Sequence, residues 1–207
     1  MLTLYDFLFS GNGYRVRLAL LELGLPFVYR QVDILKGEAQ ERWFMDKNPA
    51  GQIPVLELAD GTCIPESTAI LFFLAEGTPL LPSDKIERTR VLQWLCFEQT
   101  NVDGVISRAR FRRKFPGVVP TRAEEFDTWH REGTRTLGIL DDHLRARRFV
   151  VGDTLSIADL ALYSYVHRAD EGGFDLSPLV GLRRWFDRIE GRPRHIAIDV
   201  VPPEPQT

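Results

Sequence analysis

The spacing of apolar positions changes quickly over the first third of the chain. Leu2 to Phe7 mixes leucine, threonine and aromatic residues, which predicts a short strand. Ser10-Gly11-Asn12-Gly13 is a turn cluster. Val16, Ala19, Leu20 and Leu23 then recur at helical spacing until Gly24 and Pro26 stop the helix. Phe27 to Val32 reads as a second strand, and the polar segment Lys36 to Lys47 predicts a short helix. Ile53 to Leu58 and Thr62 to Ile64 are strands on either side of Asp60-Gly61, a hairpin signal. Ser67 opens an apolar helix over Ala69 to Ala75. The order β-α-β-α-β-β-α implies a four-stranded mixed sheet with helices on its faces.

Beyond a Pro- and Gly-rich stretch, GTPLLPS, the pattern is helical almost throughout. Val91, Leu92, Leu95, Cys96 and Gln99 follow helical spacing; so do Phe126, Trp129, Gly133, Leu137 and Leu140, and later Leu182, Trp185, Phe186 and Ile189. The expected organisation is an α/β domain over residues 1–77, a linker over 78–83, an all-helical domain over 84–200 and a disordered tail over 201–207.

Composition narrows the class. The chain has 207 residues, 44% of them hydrophobic and 27% charged, an ordinary globular mix that excludes a disordered chain and a disulfide scaffold. A chain of this length buries roughly 70% of the surface its unfolded form exposes and needs no staples. The net charge is −3, and the basic residues are not concentrated enough to call for nucleic acid or an anionic membrane as partner. Residues 1–80 carry 6 basic and 10 acidic residues, the remainder 20 and 19. Cys63 and Cys96 lie far apart, with no CxxC pair and no Cys/His cluster, so no metal is expected and both thiols read as reduced. No apolar run approaches the ~20 residues of a spanning helix, and the N-terminus lacks a basic n-region. These features point to a cytoplasmic protein.

Three segments carry chemistry. In Asn48-Pro49-Ala50-Gly51-Gln52-Ile53-Pro54-Val55-Leu56, a proline just before a strand and just after a β-branched residue is a candidate cis peptide. Such a bond turns the N–H and C=O of Ile53 outward, where an extended peptide can pair with them as an added strand. Pro65-Glu66-Ser67-Thr68-Ala69-Ile70 places a carboxylate and a hydroxyl at a helix N-terminus, a combination that suits the two charges of an amino-acid zwitterion. The bland reading of the same residues is an N-cap at Ser67 and a first-turn charge at Glu66. In Gly152 to Leu162, Ser156 and Asp159 fit a capping box with Asp at the third helical position, and Leu155 with Leu160 a hydrophobic staple. That third segment is a folding device, not a catalytic one.

NPAGQIPVL (48–56), PESTAI (65–70) and GDTLSIADLAL (152–162), in this order, resemble the cytosolic glutathione transferases, and the resemblance covers nearly the whole chain. It implies a thioredoxin-like first domain joined to a helical bundle domain, with glutathione as co-substrate and a homodimer as the assembly. By that resemblance Ile53, ahead of a cis Pro54, pairs with the cysteinyl backbone of glutathione, and Gln52, Glu66 and Ser67 hold its γ-glutamyl end. Plant-type members carry His-Lys where this chain has Ala39-Gln40, which leaves the uncharged Gln40 as the candidate for the glycine carboxylate. The Ser-Ser-Cys pattern of the zeta-type isomerases is absent from the first turn.

The resemblance makes Ser10 the candidate catalytic residue. A free thiol near pKa 8.5 is mostly protonated at neutral pH, and a hydroxyl donated to it at a helix N-terminus favours the anion. Asn12 is a rival donor and Tyr5, one residue early for a tyrosine-type member, a weaker one. An N-cap without ligand contact is the bland alternative for Ser10. The second-substrate pocket is expected from Phe7, Arg108 and Phe111, the last two within the basic run Arg108 to Lys114, which otherwise reads as a solvated helix face. Trp94, Trp129 and Trp185 are expected in the core, with Trp43 at the rim of the site. The function implied is attack of glutathione thiolate on a small electrophile, as in detoxification. The alternatives are glutathione-dependent reduction of disulfides or peroxides, and a non-catalytic binding or regulatory protein.

Overall fold

The computed structural model describes residues 1–204, which divide into two compact units: Met1–Glu76 together with the segment from Pro193, and Gly77–Arg192.

The first unit has the expected element order. Strand β1 (Leu2–Asp6) lies between β2 (Phe27–Gln31), its parallel neighbour, and β3 (Val55–Glu57), which runs antiparallel to it; β4 (Cys63–Pro65) completes the sheet in the order β2-β1-β3-β4. Tyr5 stands opposite Val55, and Val55 opposite Pro65. Helix α1 (Gly11–Leu23) ends at Gly24, whose left-handed backbone (φ 67°) lets its N–H reach the Leu20 and Leu21 carbonyls. A short α2 (Arg42–Met45) follows a single 3₁₀ turn, so the polar segment is less helical than its length allows. Asp60-Gly61 forms the β3–β4 turn, with the Asp60 carboxylate accepting the Thr62 N–H at 2.9 Å. Helix α3 (Ser67–Ala75) packs against α1, and Leu4, Val16, Leu20, Leu56, Ile70 and Leu71 are fully buried in this unit. The four-stranded sheet with flanking helices is the expected thioredoxin-like architecture.

The second unit is helical: α4 (Lys85–Phe97), a π-helical segment (Glu98–Ser107), α5 (Arg108–Lys114), α6 (Ala123–Leu144), α7 (Ile157–Val166) and α8 (Val180–Glu190). Asp84 caps α4 by accepting the N–H groups of Ile86 and Glu87. Every residue of α7 is buried, so this helix is the axis of the unit, and the Ser156–Asp159 capping box forms at its start. Trp185 and Trp129 are buried; Trp94 is half-buried against Phe97 and His143.

Two details differ from the sequence reading. The segment from Pro193 belongs with the first unit, although the sequence assigned residues through 200 to the helical domain. Its anchors are polar and distant in sequence: the Tyr14 hydroxyl donates to the Ile196 carbonyl at 2.6 Å, and Ile198 is buried. Pro202 is also buried, so the tail expected to be disordered from residue 201 is partly packed; residues 205–207 lie outside the described residues. Among the described residues no helix is long and apolar enough to cross a membrane.

Candidate functional site

The site residues of the first unit gather around the starts of α1 and α3 and the loop before β3. Ser10 is the N-cap of α1, extended at φ −75° and ψ 126°, and its hydroxyl oxygen accepts the Gly13 N–H at 3.2 Å. Asn12, in the first turn, is joined to the start of α3: the Ser67 hydroxyl donates to its Oδ1 at 3.3 Å. The two helix N-termini therefore share a polar seam at the positive ends of both helix dipoles. Arg15, fully buried, brings Nη1 to 3.5 Å from the Ser67 hydroxyl on the inner side of that seam.

Ser67 is the first residue of α3, not its cap. The cap position belongs to Glu66, which has φ 68° and ψ 108°, the one non-glycine residue with positive φ among those described. A side chain held in such a conformation costs on the order of 1–3 kcal/mol, and strain of this kind concentrates where a ligand is gripped. The Glu66 side chain is exposed.

The Ile53–Pro54 peptide is cis, as the sequence predicted. Strand β3 begins at Val55, so residue 53 precedes the ladder and stays outside its register. The preceding loop is held from within. Asn48, 4% exposed, donates from Nδ2 to the Gln52 carbonyl at 2.7 Å and accepts the Ala50 N–H at 3.1 Å. Gln40 donates from Nε2 to the Gly51 carbonyl at 3.1 Å, and Gly51 has φ 60°, where a Cβ would meet the Gln40 amide at 2.5 Å. Gln40 thus braces the loop that carries Gln52 and Ile53. The Gln52 side chain is exposed.

Tyr5 packs against the same apolar core as Ile53, but its hydroxyl is turned to a carboxylate. Its hydroxyl donates to Glu57 at 2.9 Å, Lys47 sits 4.8 Å from its ring centre and 2.6 Å from the same Glu57 oxygen, and the Trp43 ring lies tilted to it with centroids 6.2 Å apart. Burial raises the Tyr5 pKa further from neutrality, with the Glu57 carboxylate adding to the effect. Trp43 belongs to this cluster too, with its indole N–H on Glu41. Cys63 packs nearby, and burial pushes its thiol pKa up.

Of the residues expected around the second substrate, Phe7 is in the first unit, buried against Phe9. Arg108 and Phe111 are in the second unit, Arg108 exposed and Phe111 half-buried against Phe115. Much of the basic run has internal partners. Arg110 and Lys114 pair with Glu171 at 2.8 and 3.2 Å, Arg113 lies over the Phe126 ring, and Arg112 lies over Phe111. Among the described residues no group of three or more His, Cys, Asp or Glu side chains is placed to hold a metal ion.

The sequence reading missed Arg15, Arg17 and Asp6. Arg17 and Asp6 form an ion pair of 3.1 Å in which both side chains are fully buried. An acidic residue in the apolar strand LTLYDF and two arginines inside RVRLAL were the available signals.

Comparison with known proteins places the chain in a family. The glutathione S-transferase N-terminal domain family matches residues 9–76, and the glutathione S-transferase C-terminal domain family matches residues 122–188. A crystal structure of a glutathione S-transferase from Pseudomonas fluorescens Pf-5 is 46% identical with a TM-score of 0.91, covering 95% of this chain and 98% of that one. The disulfide-bond oxidoreductase YfcG of Escherichia coli is 30% identical over 201 residues, 93% of this chain and 92% of its own. Elongation factor 1-gamma of Artemia salina is 33% identical over 175 residues; that match takes in 81% of this chain but 38% of the longer relative. With both domain families matched in order and a 46% identical transferase superposing along almost the entire length, the chain belongs to the glutathione S-transferase family.

Proposed function

We propose that the protein binds glutathione along Ile53, with the γ-glutamyl end at Gln52, Glu66 and Ser67, and that the Ser10 hydroxyl donates a hydrogen bond to the sulfur. The observation that carries this reading is the polar seam in which Ser10 caps α1 while Asn12, two residues on, is bonded to Ser67 at the start of α3. Capping uses a lone pair of the Ser10 oxygen, so the O–H proton remains available as a donor. A donor and the positive end of α1 both favour the thiolate over the thiol. The thiolate then forms a bond to an electrophilic carbon, the leaving group departs with its electron pair, and the thiol proton is passed to water. Positioning and anion stabilisation are the catalytic terms. A cytoplasmic location and a homodimeric assembly belong to the same reading, carried by family membership.

A second reading is favoured by the similarity to the E. coli disulfide-bond oxidoreductase. Bound glutathione thiolate attacks a substrate disulfide, one substrate thiol leaves, and a second glutathione resolves the mixed disulfide to give oxidised glutathione. The chain has no cysteine before Cys63, so the thiols for this cycle come from glutathione.

Calorimetric titration with glutathione, followed by assays with an aryl halide and with a small dialkyl disulfide, tests both. Binding with aryl halide turnover supports conjugation, and binding with turnover of the disulfide alone transfers the assignment to reduction. A folded sample that binds no glutathione overturns both in favour of a non-catalytic role.

A further inference from the structure

Three features of the first unit look unrelated in sequence. Asp6 interrupts an apolar strand, Gly13 sits inside a helix where alanine would be a better helix former, and Arg17 lies among apolar neighbours. The structure joins them. A Cβ built on Gly13 would fall 1.5 Å from an Asp6 carboxylate oxygen, so the glycine is what lets that carboxylate lie against the first turn of α1. The same Gly13 donates its N–H to Ser10. Asp6 accepts the Phe7 N–H at 2.7 Å through Oδ1 and faces the Arg17 Nε through Oδ2 at 3.1 Å.

The Arg17 guanidinium reaches further. Nη2 donates to the Leu8 carbonyl at 2.5 Å, while Nη1 donates to the carbonyls of Ile198 and Val200 at 3.0 and 3.3 Å. Within the three-residue loop between β1 and Ser10, Phe7 is held through its N–H by Asp6 and through its carbonyl by the Ser10 N–H at 2.8 Å, and Leu8 is held by Arg17. A buried ion pair is weak evidence for stability, because desolvation offsets the attraction; its better attested use is to fix one arrangement.

We infer that Arg17 is a positioning residue for the Ser10 hydroxyl, fixing the loop that carries Ser10 by bridging Asp6, the Leu8 carbonyl and the Ile198–Val200 strap. The strap, drawn from the far end of the chain, holds the guanidinium fork on the side away from Leu8. Arg17 touches no reacting atom; it acts through the loop. The inference rests on the reading of Ser10 as the thiolate donor.

The test uses the full chain with glutathione bound, following thiolate absorbance in the ultraviolet against pH. Arg17→Lys keeps a positive charge for Asp6, but its single nitrogen lacks the fork that serves carbonyls on two sides. It should raise the pKa of the bound thiol by about one unit, a tenfold loss of thiolate below that pKa, with glutathione affinity close to wild type. Combined with Ser10→Gly it should add nothing to the shift that Ser10→Gly produces alone. If Ser10→Gly shifts the titration and Arg17→Lys does not, positioning is overturned and the donor stands. If neither shifts it, the donor reading falls and positioning falls with it. Should Arg17→Lys fail to fold, Asp6→Asn, nearly isosteric, is read the same way: a shift supports positioning and an unmoved titration overturns it.

Discussion

The indole N–H of Trp185 donates to the Asp159 carboxylate at 2.9 Å, tying α8 to the first turn of α7 in the buried centre of the helical unit. The same carboxylate accepts the Val150 N–H at 2.9 Å, the Ser156 N–H at 3.0 Å and the Ser156 hydroxyl at 2.8 Å. Ser156→Ala removes one of these donors and should cost about 1 kcal/mol, the usual worth of a cap. Asp159→Ala leaves three buried N–H groups without their acceptor. At about 1–3 kcal/mol each, the loss should reach about 3 kcal/mol or more. Urea unfolding midpoints measure both. Activity per folded molecule should stay near wild type, and a large drop in it would show that this corner also serves the site.

Two buried carboxyls should make stability fall as pH rises. Burial lifts Asp159 to about 6 and Asp6 to about 7, against the hydrogen bonds and the Arg17 charge that favour their anions. In the unfolded chain both return toward 3.8, the ordinary value. Between those limits the folded protein holds protons that the unfolded chain has released. The stability from each carboxyl is therefore complete below about pH 4 and is lost as pH rises through its folded value. Carboxylates nearer the surface, such as the half-buried Asp33, held down by its hydrogen bond with Lys36, run the other way. Asp6→Asn and Asp159→Asn isolate the effect: from about pH 4 to about pH 8, wild type should lose stability relative to each variant. Parallel pH profiles for wild type and variants would refute the assignment.

Much of this was legible in the sequence because it is local. The cis peptide needs only a proline at a strand entry, the capping box only residues 156 and 159, and the hairpin only Asp60-Gly61. The Arg17 contacts were not legible because they span the chain: Ile198 and Val200 lie more than 180 positions away. By pattern alone an arginine at that helix position faces water. The cap of α3 was misplaced by one residue for a related reason. Sequence preference favours serine at a cap, while the structure puts Glu66 there in a conformation that propensity argues against.

Glu66 offers a variant with opposite effects on stability and binding. Glycine adopts φ 68° without the steric cost that glutamate bears, so Glu66→Gly should stabilise the fold by about 1 kcal/mol, the low end for relieving such strain. If the carboxylate holds the ammonium of glutathione, the same change should weaken binding. Thermal unfolding and calorimetric titration read the two effects separately. A stabilised variant with undiminished affinity would remove Glu66 from the site.

Asn48 should matter to binding without touching the ligand. Its buried amide fixes Ala50 and Gln52 at once, and Asn48→Ala leaves both backbone groups without that partner. Both bonds are part-buried and their backbone partners belong to exposed residues, so a cost of about 1 kcal/mol follows for each bond lost. The loop it releases leads directly to Ile53, so glutathione affinity should fall along with the unfolding midpoint. In Gln40→Ala, where the brace to Gly51 is more exposed, both effects should be smaller.

The cap and the chemistry of Ser10 can be separated by the choice of substituent. As an N-cap the residue satisfies the Gly13 N–H, and as a thiolate donor it gives its proton to sulfur; alanine destroys both functions together. Glycine at an N-cap costs a few tenths of a kcal/mol, against about 1 kcal/mol for alanine. Ser10→Gly should therefore unfold almost where wild type does, yet raise the pKa of bound glutathione and slow turnover at neutral pH. The rate should recover as pH rises, because the lost donor is replaced by bulk deprotonation of the thiol. Ser10→Thr, which keeps the hydroxyl, should titrate close to wild type. A Ser10→Gly protein with an unaltered titration would leave the helix cap as the only role of the hydroxyl and pass the donor assignment to Asn12, the rival side chain in the same turn.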